Sequence, residues 1–106
     1  MSYRFMRVIV LFDIPTTTYE YRREYVHFRR FLLKSGFIMV QESVYSKIAL
    51  NSSTANFIAE KVRKNKPEVG LVQMLTITEK QYSKMELICG EEHKEVLDSD
   101  ERLVIL

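Results

Sequence analysis

Two groups of residues in this chain have types and spacing that could do chemistry. The first is a single carboxylate, Asp13, which closes the apolar run RVIVLFD just before Pro15 and the threonines Thr16, Thr17 and Thr18. The second is a cationic series, Arg22, Arg23, His27, Arg29, Arg30 and Lys34. A carboxylate at the end of a strand can hold a cation or orient a water. Magnesium, though, prefers several oxygens from carboxylates, phosphates and water, and no second acid lies close in sequence. Two copies meeting with their first strands side by side would supply the missing ligand, with two Asp13 carboxylates sharing one magnesium ion or one water. A structural role stands beside this one, because Asp13 could also cap the threonine-rich turn.

The cationic series gains its meaning from helical geometry. At about 100° per residue, Tyr21, Tyr25, Phe28 and Leu32 fall on one stripe. Arg23, His27, Arg30 and Lys34 fall on the opposite side, flanked by Arg22 and Arg29. Such a helix buries an aromatic stripe and presents a basic one. Planar guanidinium groups match phosphate oxygens, and backbone-phosphate contacts give affinity without base specificity. The competing reading is a solvated charged face. The acids of this segment, Glu20 and Glu24, sit near its start, away from the later cations. Lys61, Arg63, Lys64 and Lys66 form a second basic group at the end of another helix, where the helix dipole already favours cations. His27 and His93 have no evident partner in sequence, so each reads as a surface residue before it reads as a base or ligand.

The elements that must position these groups can be read along the chain. Arg4 to Asp13 is apolar and β-branched in its second half and predicts a central strand buried on both faces. Pro15 stops it. Thr17 and Glu20 have capping-box spacing, and a helix is expected over 18–35, ending at Gly36. Phe37–Gln41 and Ser43–Leu50 predict two strands with a very short connection, either a hairpin or a bulged continuation. Asn51 to Thr54 are helix starters, and Ala55, Ile58, Ala59 and Val62 recur at helical spacing. Pro67 and Gly70 follow as stops. GLVQMLTIT is a strand, EKQYSKM a helical turn, and MELICG a short strand. EEHKEVLDSDE is an acidic loop, and RLVIL a terminal strand. The order β-α-β-β-α-β is that of an α+β, ferredoxin-like sandwich. It divides the chain into a 1–90 domain and a 91–106 segment of acidic linker and last strand. That strand could pair with its own sheet or cross to a second subunit's edge.

With 106 residues there is room for one domain. A net charge of +2 is too small to argue for nucleic acid by itself. The single cysteine, Cys89, allows no internal disulfide, and no Cys/His cluster suggests zinc. The first residues do not read as a signal peptide, no run is long enough to span a bilayer, and a cytoplasmic setting is expected. No aromatic base-stacking signature and no glycine-rich phosphate loop is present.

RVIVLFDIP followed by an arginine-rich helix, then FLLKSGFIMVQESVYSK and GLVQMLTITEKQY, resembles the small CRISPR adaptation protein family, Cas-two, of the kind found beside Cas-nine in type II-A systems. The resemblance spans nearly the whole chain. It implies a ferredoxin-like homodimer in which the last strand, with Leu103, Val104, Ile105 and Leu106, joins the partner's sheet. It also implies a role in spacer acquisition, in which the dimer bridges two dimers of the Cas-one integrase and supports a double-stranded foreign DNA. Some members of that family are described as magnesium-dependent endonucleases of RNA or duplex DNA, with a metal-ligating catalytic aspartate that matches Asp13. Many of them carry further acids after the proline, where this chain has Thr16 and Thr17, and that departure weakens the case for nuclease activity. The resemblance leaves the role of Tyr82 to Gly90 open, as either part of the fold or a contact with the integrase.

Overall fold

The computed structural model describes residues 5–90. Its elements are β1 (Met6–Asp13), α1 (Tyr19–Lys34), β2 (Ile38–Gln41), β3 (Val44–Ala49), α2 (Ser52–Lys64), β4 (Leu71–Thr78) and a single helical turn, α3 (Glu79–Tyr82). The strands form one antiparallel sheet in the order β2-β3-β1-β4. This is the ferredoxin-like arrangement expected from the order of elements. The expected terminal strand lies outside the described residues.

Local chemistry explains the boundaries. Helix α1 is capped by Thr18, whose hydroxyl accepts a hydrogen bond from the Tyr21 amide at 3.2 Å. The Thr17–Glu20 capping box anticipated from spacing does not form, because the cap falls one residue later and the residue three positions on is then Tyr21; the helix cap is Thr18, not Asp13. At its far end Gly36 has φ +96°, a conformation open to glycine. Asn51 caps α2 through its side-chain oxygen, 2.9 Å from the Thr54 amide, and α2 ends at Lys64, before Pro67 is reached. Strands β2 and β3 form a hairpin with a bulge between Met39 and Gln41. Its turn places Ser43 at φ 65°. MELICG is not a strand: no strand among the described residues follows β4.

Both helices pack on one side of the sheet. Val8, Val10 and Phe12 of β1 join Phe28 and Leu32 of α1 and Ala55, Ile58 and Val62 of α2 in a single core. Phe12 is the centre of an aromatic group, edge-on to Phe28 at 5.2 Å and stacked on Tyr45 at 5.7 Å.

The opposite side of the sheet is different. Register places Ile9 beside Ser46 and Leu75, Arg7 beside Ile48 and Ile77, and Asp13 beside Leu71. Of these side chains, Leu71 is 56% exposed, Leu75 54% and Ile48 46%. Ile38, on the same face opposite Ser46, is exposed too. Strand β1 was expected to be buried on both faces, and it is central; on its second face Ile9 and its neighbour Ser46 are buried, whereas Leu11 and Asp13 are exposed. That second face, the open face, is therefore covered at its middle and open around it.

Candidate functional site

Asp13 lies at the C-terminal end of β1, on the open face, and is solvent-exposed. Its main chain is held by a close crossing. A β-carbon on Gly70 would come 2.8 Å from the Asp13 carbonyl oxygen and 2.9 Å from Cγ1 of Ile14. Gly70 also has φ +86°, so glycine is required there twice over. The crossing fixes where β1 ends and β4 begins, and so where the carboxylate stands.

Among the described residues, no three or more His, Cys, Asp or Glu side chains converge to hold a metal ion. The described residues thus give Asp13 no cluster of three or more such ligands, fewer protein oxygens than magnesium ordinarily takes.

Helix α1 has the two faces that its periodicity requires. Phe28 and Leu32 are buried and Tyr21 and Tyr25 half-buried, whereas Arg23, His27, Arg30 and Lys34 are exposed. Among the described residues the ion pairs are Arg7–Glu79 and Arg63–Glu60. Arg23, Arg30 and Lys34 therefore take part in none. The acids of α1 do not reach them: Glu24 turns away and accepts a hydrogen bond from the Glu68 amide at 3.1 Å. Arg23 stands over the Tyr19 ring, 5.9 Å from its centroid, at the far limit of a cation–π contact.

The two flanking arginines differ from that stripe. Arg22 Nη1 donates to the Thr16 carbonyl at 3.2 Å, bracing the turn between β1 and α1. Arg29 Nε donates to the hydroxyl of buried Tyr45 at 2.9 Å. Arg29 thus has a structural duty that helical spacing did not reveal. Burial pushes the Tyr45 phenol up from its ordinary value of 10.0, and the neighbouring Arg29 charge and hydrogen bond partly offset this. A phenol raised in the folded state keeps its proton there longer than in the unfolded chain. Its contribution is complete below pH 10 and is lost as pH rises through the raised value. Wild-type stability, measured by denaturant unfolding, should therefore fall above pH 10 relative to Tyr45→Phe. Parallel curves for the two proteins across that range would contradict the assignment.

The second basic group ends α2. Arg63 is paired with Glu60 at 2.8 Å within the helix, and Lys61, Lys64 and, just beyond the helix, Lys66 are exposed, as Arg63 is. No helix among the described residues is long and apolar enough to cross a membrane.

Sequence reasoning missed a polar cluster on the open face. Arg7 makes a two-pronged contact with Glu79, through Nε at 2.8 Å and Nη2 at 2.5 Å. Its Nη1 donates to Ser46 Oγ at 3.3 Å, and its guanidinium lies 4.2 Å from the centroid of the Tyr82 ring. The Glu79 carboxylate raises the Arg7 pKa further above its already high ordinary value. Arg7 and Glu79 are 72 residues apart, so only sheet register could have paired them.

Comparison with known proteins gives the chain's family. The family model described as CRISPR associated protein Cas2 matches residues 6–85. A CRISPR-associated endoribonuclease Cas2 from Treponema denticola is 57% identical over 101 residues, 95% of this chain and 100% of the relative. Relatives of the same name from Streptococcus mutans serotype c and Ligilactobacillus salivarius are 46% and 44% identical, each over 95% of this chain and over 93% and 100% of their own lengths. The matched span runs from the first strand to the residues after α3, and so includes Asp13, the basic helix and the open sheet face. With that coverage and those identities, this chain belongs to the CRISPR-associated Cas2 family of the CRISPR system.

Proposed function

We propose that two copies of this chain pair through their open sheet faces and act as the bridging subunit of a spacer-acquisition complex. The pair joins two Cas-one integrase dimers, and each copy holds backbone phosphates of the foreign duplex on its α1 helix. The observation that carries the DNA-binding part is the exposed line of Arg23, His27, Arg30 and Lys34, opposite the buried stripe of the same helix, with no ion pair among the described residues to Arg23, Arg30 or Lys34. A cationic face without internal acids is the one that gains most from releasing DNA counterions.

The open face supports the pairing. Leu11, Ile38, Ile48, Leu71 and Leu75 are each more than one-third exposed on it, and a contiguous apolar surface of this kind marks an interaction site. A second copy is a fitting partner, because a two-fold contact is self-complementary and brings both β1 strands together. The strand of Leu103, Val104, Ile105 and Leu106 would then add to the partner's sheet. Edge strand β4 is open to such an addition among the described residues.

A second reading, a magnesium-dependent endonuclease, is favoured by one observation: Asp13 is exposed on the face that the pairing brings together. Two Asp13 carboxylates would hold the ion, which would supply charge neutralisation at a phosphodiester. The relatives' name, endoribonuclease, is of this class. The two readings separate on Asp13→Ala, a change at an exposed position. Under the bridging reading, the variant keeps duplex affinity and spacer acquisition in cells at wild-type levels. Loss of acquisition by a folded, paired Asp13→Ala protein, together with loss of magnesium-dependent cleavage in vitro, would transfer the function to the nuclease reading.

A further inference from the structure

Besides Asp13 at the end of β1, the open sheet face carries the charge of Arg7 among its apolar side chains, and that charge is already answered within the chain. Arg7 lies between Ile48 and Ile77 in the sheet register, so a surface laid over this face meets a guanidinium as well as isoleucines. Its side chain is only 13% exposed and that of its partner Glu79 only 25%. Glu79 does not reach Arg7 by chance of rotamer. It begins α3, whose turn is closed by a reciprocal cap: Thr78 Oγ1 accepts from the Gln81 amide at 3.0 Å, and Gln81 Oε1 accepts from the Thr78 amide at 2.9 Å. The Glu79 amide donates to the Phe5 carbonyl at 2.9 Å, which ties this turn to the start of β1. Tyr82, at the end of the same turn, brings its ring against the guanidinium.

We propose that the α3 turn is a built-in neutralising clasp. It holds Glu79 and Tyr82 on Arg7 so that the sheet face can be covered by a second copy without enclosing an unpaired charge. Glu79 is thus a positioning residue for self-association, and the inference rests on the pairing described above. In the lone chain the Arg7 side chain keeps a narrow edge to water, and Glu79 a wider one, which partly solvates the guanidinium if Glu79 loses its charge. In the paired state water is excluded, and an arginine without its carboxylate is costly. The effect of breaking the clasp should therefore be larger in association than in the folding of the lone chain, which stays folded. Removing both charges should be tolerated, because a neutral pair leaves nothing to solvate.

Sedimentation equilibrium on full-length wild type, Glu79→Gln and the double variant Arg7→Met with Glu79→Gln tests this, with circular dichroism to confirm folding. Glu79→Gln should weaken self-association by a factor on the order of 100, and the double variant should return to within about tenfold of wild type. If Glu79→Gln associates as wild type does, the clasp is overturned while the pairing stands. If the double variant is as impaired as the single, Glu79 is needed only for structure, and the clasp is likewise overturned. If Glu79→Gln unfolds, the carboxylate is required by the fold of the lone chain, and the clasp as a device for association is overturned. A wild-type chain that sediments as a single copy at every concentration overturns the pairing and the clasp together.

Discussion

Replacing Arg23, Arg30 and Lys34 by glutamate should abolish duplex binding at physiological salt, a loss of roughly 1,000-fold or more. The three side chains share one exposed face of α1 and engage in no ion pair among the described residues, so the fold should not notice the change. The interaction would notice it twice. Each cation lost from a phosphate contact removes about 0.9 from the slope of log affinity against log salt. Each glutamate gained then repels the same phosphate. The milder set, Arg23→Gln, Arg30→Gln and Lys34→Gln, isolates the first effect. Its slope should be shallower than wild type by about 2.7 for every chain touching the duplex. A fluorescence titration of a short duplex at several salt concentrations reads both quantities. An unchanged slope in the glutamine set would mean that this helix face is not on the phosphates. Replacing Arg29 should behave differently, because Arg29 is committed to the Tyr45 hydroxyl. Its loss should lower stability before it lowers affinity.

The second large effect concerns the open sheet face. Leu75→Glu should separate the pair, with self-association weakened at least about 100-fold. In one chain Leu75 is 54% exposed, so a carboxylate there stays in water and the lone subunit still folds. In the paired state that carboxylate would be enclosed beside Ile9, its cross-strand neighbour, while the nearest cation on that face, Arg7, is already committed to Glu79. Phe57→Glu is the matching control. Phe57 is 66% exposed but lies on α2, on the helix side of the sheet, and its replacement should leave the mass of the particle unchanged. Mass measured by light scattering at several concentrations decides this. A Leu75→Glu protein that remains paired, or a Phe57→Glu protein that does not, would move the interface to the helix side.

How much of this was legible in sequence depends on the distance over which the information is written. The α1 stripes were readable because a 3.6-residue period acts within one element, and Phe28 and Leu32 are buried while Arg23 and Arg30 are exposed as that period requires. The order of strands and helices was readable for the same reason. Strand β1 was read as buried on both faces because Val8, Ile9, Val10 and Leu11 are apolar without alternation. Composition registers that both faces want cover, but it cannot say which chain provides it. The Thr18 cap was misplaced by one residue because three consecutive threonines are equivalent until the backbone chooses. MELICG has the residue types of a strand, but it forms no ladder with the described strands. Arg29–Tyr45 and Arg7–Glu79 were invisible because each pair depends on the register of elements far apart in the chain. Asp13 was found from its place after a strand, but its position on the open face depends on the register with Leu71.

A reconstitution tests the proposed bridging role most directly: this chain, a Cas-one integrase and a short duplex, mixed and followed by sedimentation at increasing salt. The predicted result is one particle at low salt containing two copies of this chain, integrase and duplex, which releases the duplex as salt rises and does not form with the Arg23, Arg30 and Lys34 glutamate variant. Sedimentation of this chain apart from integrase and duplex at every salt concentration, or a particle that forms equally well with the glutamate variant, would contradict it.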